Sequence, residues 1–288
     1  MRIDSHQHFW QLQRGDYDWL TPELDALYRD FLPPDLAPML EAAGVTQTVL
    51  VQAATTVAET EYLLRLAGEH AFIAGVVGWV DMDAPATALA DLKRLQHNPA
   101  LLGVRPMIQD IADPGWMLRD SLTPVFEQLI ALDLRFDALV LPAHLANLHT
   151  LLARHPQLQC VIDHGAKPAI ADAGWQPWAD DMAALAQDTG CYCKFSGLLT
   201  EAGERTGDEA LQPYTDHLLA CFGAERLMWG SDWPVLTLAG DYSGWLQQSE
   251  RLLQHLPAAE QAAIFGGAAI QFYGLEARTP GPTSEGSR

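Results

Sequence analysis

Two histidines near the amino terminus, His6 and His8, are the first residues whose type and spacing can do chemistry. Side chains alternate between the two faces of a strand, so histidines two positions apart project from the same face. Asp4 lies on that face as well, one layer deeper. The pair fits a metal-binding or catalytic role, and it also fits two hydrogen-bonded histidines at the end of a strand. Partners elsewhere in the chain must decide between these roles.

Such partners stand at the ends of later apolar runs, where packing alone would favour apolar or turn residues. Arg105 ends one run and Lys194 lies in another. Asp163 and His164 end a third run, and Asp232 ends the last. As a group they predict one site built from histidines, carboxylates and cations. Taken singly, Asp163 also fits a helix cap, and either cation also fits the neutralisation of an inward carboxylate.

Eight apolar runs must position these residues, and amphipathic stretches of helical period separate the runs. The last amphipathic stretch ends at residue 265. The predicted strands span residues 1–8, 46–53, 72–80, 101–106, 135–141, 158–164, 191–196 and 226–232. Continuous apolar runs are typical of parallel strands covered on both faces. The alternation predicts an α/β fold, a single-domain (β/α)8 TIM barrel over residues 1–276, with a disordered tail over 277–288. The alternative, an open doubly wound sheet, would carry a glycine-rich phosphate loop after its first strand, which this sequence lacks.

A TIM barrel assembles its active site at the carboxyl ends of its strands. The fold prediction therefore brings the polar strand ends together. The segment over residues 11–34 is rich in Asp, Trp and Pro and is too long for a simple connection. We expect this loop to shape the site.

The acidic composition limits the partners of the protein. The 288 residues include 37 acidic and 17 basic ones, for a net charge of -20. Nucleic acids and anionic membranes would be repelled, so a small molecule is the expected partner, with the oligomeric state left open. No apolar run reaches membrane-spanning length and the amino terminus lacks a secretory pattern, so a cytoplasmic location is expected. The four cysteines show no disulfide spacing.

Five stretches match motifs of a known family: IDSHQHFW at 3–10, GVRP at 103–106, DHGAKP at 163–168, KFSGL at 194–198 and RLMWGSDWP at 226–234. Together they resemble the amidohydrolase superfamily and, within it, the amidohydrolase-2 type sugar lactonases similar to L-fuconolactonase and L-rhamnonolactonase. The resemblance implies a barrel enzyme that opens a sugar lactone to its aldonic acid. Two-metal members of the superfamily carry a bridging Lys or Glu on strand four, where this chain has Arg105. A guanidinium cannot ligate a cation, so one metal at most is expected.

Lactone hydrolysis needs an activated water and a stabilised carbonyl oxygen. Asp232 is the expected general base, and burial beside Trp233 is expected to raise its pKa. His6, His8 and His164 have two alternative roles. Together with the aspartate they hold one divalent metal, for which Zn²⁺ is well suited, or they donate hydrogen bonds to the carbonyl oxygen without a metal. The sequence leaves both alternatives open.

Other polar and aromatic residues are expected to bind the substrate. Arg105 and Lys194 are assigned to the hydroxyls of the sugar or to the carboxylate of the product. Trp10 and Trp233, together with Trp19 of the long loop, can stack on the apolar face of a sugar ring, although core packing suits each of them equally.

Three other functions fit the same residues. They are hydrolysis of a non-sugar lactone of the pyrone or muconolactone type, metal-dependent decarboxylation, and non-catalytic binding of a small molecule. A pyrone dicarboxylate would call for additional cations in the loops, and these loops are acidic. The polar strand ends weigh against a barrel that binds a small molecule without catalysis.

Overall fold

The eight predicted strands form one parallel sheet whose order follows the chain. The computed structural model describes residues 1–275. Its strands are β1 (Arg2–Gln7), β2 (Val45–Val51), β3 (Ile73–Gly78), β4 (Leu101–Val104), β5 (Arg135–Ala138), β6 (Cys160–Ile162), β7 (Tyr192–Phe195) and β8 (Leu227–Trp229). Every neighbouring pair is parallel. The predicted single-domain (β/α)8 barrel is confirmed, and the tail predicted over 277–288 lies outside the described residues.

Helices connect the strands on the outside of the barrel. They are α1 (Pro33–Ala43), α2 (Val57–Glu69), α3 (Pro85–Leu95), α4 (Thr123–Ala131), α5 (Leu145–Arg154), α6 (Trp178–Asp188), α7 (Asp208–Arg226), α8 (Tyr242–Leu252), α9 (Ala258–Ala262) and α10 (Ala268–Tyr273). Helix α2 begins where the Thr56 hydroxyl accepts a hydrogen bond from the Glu59 amide at 3.0 Å. No helix within residues 1–275 is both long and apolar enough to cross a membrane.

Helix α10 closes the amino-terminal end of the barrel and lies beyond the last predicted amphipathic stretch. A π-helical turn over Ala263–Gly267 carries the chain into it. Its Phe272 packs with Ile3 and Met228 inside the barrel. Arg135, the first residue of β5, donates a hydrogen bond to the Phe272 carbonyl at 2.7 Å. The apolar part of the barrel interior is therefore sealed at this end.

At the carboxyl end of the barrel, the seam between the first and last strands is closed by backbone pairing of β1 with the segment that follows β8. Gln7 and Trp233 form a parallel bridge. The His8 amide donates to the Trp233 carbonyl at 2.7 Å, and the Asp232 amide donates to the His6 carbonyl at 2.8 Å. The first and last site residues of the chain thus become neighbours through hydrogen bonds of the backbone.

Several predicted strands are shorter than the apolar runs suggest, and this changes how the site residues are positioned. Strand β6 ends at Ile162, and residues Asp163–Ala166 form a 3₁₀ turn. His164 and Asp232 have φ angles of 54° and 57°, in the left-handed region. Both residues stand in turns beyond the strands, so strand alternation does not set the direction of their side chains.

Candidate active site

Three histidines and one aspartate converge at the carboxyl end of the barrel. The Nε2 atoms of His6 and His8 lie 3.1 Å apart. Oδ1 of Asp232 lies 3.7 Å from Nε2 of His6, 3.3 Å from Nε2 of His8 and 3.9 Å from Nε2 of His164. All four residues are buried, with Asp232 the most exposed at 5%. The structure therefore brings together the four residues predicted to carry the chemistry.

Asp232 is ionised, and its pKa moves in the opposite direction to the one expected. Burial by itself would raise the pKa of this carboxyl group. Electrostatic attraction to His164 and His6, together with the 3.3 Å contact with His8, outweighs burial and holds the pKa below its usual value. The expectation of a raised pKa is wrong because the histidines, rather than the apolar neighbour Trp233, dominate the surroundings of the carboxylate.

His6 and His164 are neutral at neutral pH, since burial lowers their affinity for a proton. Burial lowers the pKa of His164 to about 4. It also places the pKa of His6 well below its usual value, helped by the nearby charge of Lys194. Neutral rings can offer a lone pair to a metal or a proton to an oxygen, so both predicted roles stay chemically open.

Hydrogen bonds to the second ring nitrogen fix the orientation of two histidines. Nδ1 of His8 lies 2.8 Å from the Val51 carbonyl oxygen, which only accepts. The uncharged form of the His8 ring therefore carries its proton on Nδ1 and presents a lone pair at Nε2. Nδ1 of His164 lies 2.9 Å from the Ser196 hydroxyl. Each ring is held by the strand beside it.

A buried carboxylate, Asp4, ties the first strand to the turn that carries Asp232. One of its oxygens accepts from the Ser231 amide at 2.8 Å and from the His6 amide at 3.2 Å. The other accepts from the Ser231 hydroxyl at 2.6 Å and from the Tyr242 hydroxyl at 3.1 Å. Asp4 therefore fixes the backbone on both sides of the site without facing it.

Lys194 is buried beneath His6 and does not line the cavity. Its Nζ lies 2.6 Å from Asp137, 3.0 Å from Asp163 and 3.1 Å from Nδ1 of His6. An ammonium group has three protons, and these three acceptors use them all. The expected contact of Lys194 with substrate is not found, because the lysine neutralises inward carboxylates, the alternative that the sequence also allowed. Tyr273 donates to the same Asp137 at 2.7 Å.

Arg105 stands between the buried carboxylates and the cavity. Its Nη1 lies 3.4 Å from Asp163 and 3.3 Å from Nε2 of His6. Its Nη2 donates to the Gln52 carbonyl, and the Gln52 side chain donates back to the Arg105 carbonyl at 2.7 Å. Arg105 lines the cavity. Its two Nη atoms donate to protein oxygen atoms, whereas its buried Nε has no hydrogen-bond partner among the described residues.

A cavity of about 190 Å³ opens above the histidines and is lined by His8, Trp19, Ala53, Arg105, Met107, Gln109, Asp110, Leu139, His164, Lys167, Asp232 and Val235. A larger groove of about 530 Å³ runs between α1 and α8. None of the described residues that line the groove is a histidine, so the chemistry belongs to the smaller cavity.

Of the three tryptophans predicted to contact a sugar, the structure brings only Trp19 to the cavity. Its indole N–H donates to the Ala53 carbonyl at 2.7 Å. Trp10 is fully buried and its indole donates to the Arg29 carbonyl at 2.9 Å. Trp233 packs edge-on against Phe31, with ring centroids 5.3 Å apart. Trp10 and Trp233 instead hold the 11–34 loop against the barrel, the packing role that the sequence left open for them.

Two further residues that position or line the cavity escaped the sequence prediction. Lys167 stands within the DHGAKP motif and was given no role of its own. Glu59 resembles an ordinary acid in the first turn of a helix, yet it is fully buried and accepts from the Ala53 and Ala54 amides at 2.9 and 3.0 Å. Burial raises the pKa of Glu59 to about 8. His144, which lies past β5 near the site, caps a turn, because its Nδ1 accepts a hydrogen bond from the Leu141 amide at 3.0 Å.

The residues present fit one metal ion. Ligands about 2.0–2.2 Å from a tetrahedral zinc stand roughly 3.4 Å from one another. The separations of 3.1, 3.3 and 3.7 Å among His6, His8 and Asp232 are close to that spacing. Lys194 donates to Nδ1 of His6, which places the proton of the neutral ring on Nε2. Metal binding at Nε2 would require this proton to move to Nδ1, beside Asp163, and Lys194 to give up its contact with Nδ1.

A second set of possible ligands, His6, Asp163 and His164, suits a metal much less well. Asp163 already receives Lys194 and Arg105. Two fixed cations beside the same oxygen atoms would repel a divalent ion. The donor set therefore favours a single ion.

The family model described as amidohydrolase matches residues 3–275. The chain belongs to the amidohydrolase family. It is 45% identical over 282 residues to an L-fucono-1,5-lactonase of Burkholderia ambifaria, with 96% of each chain covered. It is 38% identical to an L-fucono-1,5-lactonase of Burkholderia multivorans, again with 96% of each chain covered. A solved amidohydrolase from Burkholderia multivorans with bound zinc superimposes with a TM-score of 0.90 at 38% identity, over 96% of this chain and 100% of that one.

A substitution at Gly197 tests how the site holds His164. Gly197 has a φ of 67°, and a Cβ at this position would lie 2.7 Å from Cγ and Nδ1 of His164. Gly197→Ala is expected to lower the free energy of unfolding by about 2–4 kcal/mol, because it adds left-handed strain and a clash. Urea denaturation measures this change. Gly190→Ala, where a Cβ meets nothing within 4 Å, is the matched control. Equal stability of both variants would contradict this account of the turn.

Proposed function

We propose that the protein hydrolyses the lactone of a sugar acid to the free aldonic acid. The observation that carries the proposal is the convergence of ionised Asp232 with His8 and neutral His164 at the floor of a small cavity, in a chain 45% identical to an L-fucono-1,5-lactonase. An ionised carboxylate beside uncharged hydrogen-bonding rings can accept the proton of an attacking water. We infer a 1,5-lactone of the L-fucono type as the substrate class.

In the proposed reaction a water adds to the lactone carbonyl carbon while the Asp232 carboxylate accepts one of its protons. The bond from this carbon to the ring oxygen then breaks, and the ring oxygen takes up a proton and becomes a hydroxyl group. The product acid ionises and releases one proton to solution. His164, whose Nδ1 contacts the Ser196 hydroxyl and leaves Nε2 able to donate, is placed to hydrogen-bond the carbonyl oxygen as negative charge develops on it.

The low pKa of Asp232 makes it a weak base, so a more acidic water would help it. His6, His8 and Asp232 would hold one divalent ion, with His164 as a further neighbour. When bound, such an ion lowers the pKa of water and polarises a carbonyl group. Arg105 would then orient the polar groups of the substrate that lie nearest to it.

The size of the cavity favours a single-ring substrate. Its volume of about 190 Å³ lies below the roughly 300 Å³ at which pockets for drug-sized ligands begin. Trp19 offers one aromatic face for the apolar side of a sugar ring. Two acidic side chains, Asp110 and Asp232, and two basic ones, Arg105 and Lys167, line the cavity, so it has no surplus of cations for a dicarboxylate such as a pyrone dicarboxylate.

A panel of lactones tests the proposed activity. We expect proton release, followed with a pH indicator, to be fastest for L-fucono-1,5-lactone and slower for D-configured and five-membered aldonolactones. Muconolactone and a pyrone dicarboxylate serve as the competing substrates. Faster turnover of either one, or no turnover of any aldonolactone, would overturn the proposal.

Asp232→Asn tests the base. The amide cannot accept the proton of water, so kcat should fall by about 10²- to 10⁴-fold. Asp180→Asn makes the same change on the exposed side of α6 and should keep the parent rate. The comparison uses the best lactone of the panel, with thermal unfolding as a check on the fold. If Asp232→Asn keeps more than a tenth of the parent kcat, this residue is not the base.

Metal content is tested independently of activity. We expect the protein, loaded with ZnCl₂ and freed of excess, to retain about one zinc per chain by elemental analysis. His8→Ala removes a ligand and should bind zinc at least 10-fold more weakly. His97→Ala, at an exposed position, is the control. Two zinc ions per chain, or an unchanged zinc affinity in His8→Ala, would contradict the single site.

A further inference from the structure

Among the basic side chains at the site, Lys167 has the weakest contacts with acceptors of the protein. Lys194 is enclosed by three acceptors, and Arg105 is paired with Asp163 and a carbonyl oxygen. Within residues 1–275, the one carboxylate within 4.0 Å of the Lys167 ammonium belongs to Glu201, at 3.6 Å. This separation exceeds the 2.7–2.9 Å of a charge-assisted hydrogen bond. The lysine therefore keeps donors free for a ligand.

The backbone that carries Lys167 is strained. Four consecutive residues, 164–167, have φ angles of 54°, 57°, 60° and 52°, and only the second of them is glycine. A left-handed conformation costs a residue with a side chain free energy, and such conformations persist where packing enforces them and often at functional sites. The Trp178 indole fixes this turn by donating to the Gly165 carbonyl at 2.7 Å.

The strained turn aims two functional groups at one cavity. The Lys167 amide donates to the His164 carbonyl at 2.9 Å, which closes a three-residue turn. Residues three apart in such a turn lie on the same side. His164 and Lys167 accordingly both line the cavity, with the lysine further from the barrel axis and partly open to solvent.

The geometry points to Lys167 as the residue that binds the acyl end of the substrate and determines specificity for it. This inference rests on the proposed function, because hydrolysis converts a neutral lactone carbonyl into a carboxylate. The lysine would donate to the carbonyl oxygen in the substrate and to the carboxylate in the product. Without this cation, an anion would meet Asp232 and Asp110 in the cavity of a protein with a net charge of -20.

The test compares an anionic probe with a neutral one of the same stereochemistry. L-fuconate carries the carboxylate, whereas L-fucose keeps the ring and lacks it. Inhibition constants for both are measured in the parent, Lys167→Met, Lys167→Arg and Lys93→Met. Methionine has a Cβ and a similar length, so it leaves the turn geometry unchanged. Lys93 lies exposed on α3 and controls for the change in net charge.

We expect Lys167→Met to weaken L-fuconate binding by about 10-fold or more and to raise KM, because a charge-assisted hydrogen bond is lost. Binding of L-fucose should change less than about twofold, and thermal unfolding should match the parent. Lys167→Arg should restore most of the L-fuconate affinity. Lys93→Met should behave as the parent with both probes.

Two results would overturn the inference. One is parent-like L-fuconate binding in Lys167→Met, and the other is an equal loss of L-fuconate and L-fucose, which would indicate general damage to the cavity. The proposed function is tested separately by the turnover of the parent protein. If the parent hydrolyses no lactone, calorimetric binding of L-fuconate still tests Lys167, and a parent that binds none overturns the inference too.

Discussion

The pairing of β1 with the segment after β8 is the constraint on which the site depends. It joins the two ends of a sheet that otherwise runs in chain order, and it makes His6 and Asp232 neighbours although 226 positions separate them. Asp4 reinforces this closure, because its four hydrogen bonds span both sides of the seam. The polar contacts of the site therefore rest on a fixed backbone rather than on flexible side chains.

Charge compensation is the second organising feature of the barrel interior. A buried charge is costly unless an opposite charge and hydrogen bonds accompany it. Lys194 meets this requirement with Asp137 and Asp163, and Arg105 shares the second of these carboxylates. This compensated layer lies beneath the histidines, and Arg105 is its member that also lines the cavity. The groups left for chemistry are the ones nearest solvent, where substrate arrives.

The positions of the strands could be predicted because parallel strands buried on both faces must be continuous apolar runs. Their ends could not be predicted as well. The runs around 158–164 and 226–232 continue past the last strand hydrogen bonds, and the chain turns left-handed at His164 and Asp232. No local sequence pattern predicts such turns. The left-handed conformation is unfavourable for a residue with a side chain, and the surrounding contacts impose it.

The sequence by itself determined the barrel, the end of the barrel that carries polar residues, and the convergence of His6, His8, His164 and Asp232. These follow from periodicity and strand order, which are properties of the chain. Only the tertiary structure decided which polar and aromatic residues face the cavity. Three of the predicted residues are buried against partners distant in sequence, namely Lys194, Trp10 and Trp233. The cavity is lined instead by Lys167 and Trp19. Burial and pKa depend on what surrounds a group in three dimensions, and the low pKa of Asp232 is set by three histidines from two separate parts of the chain.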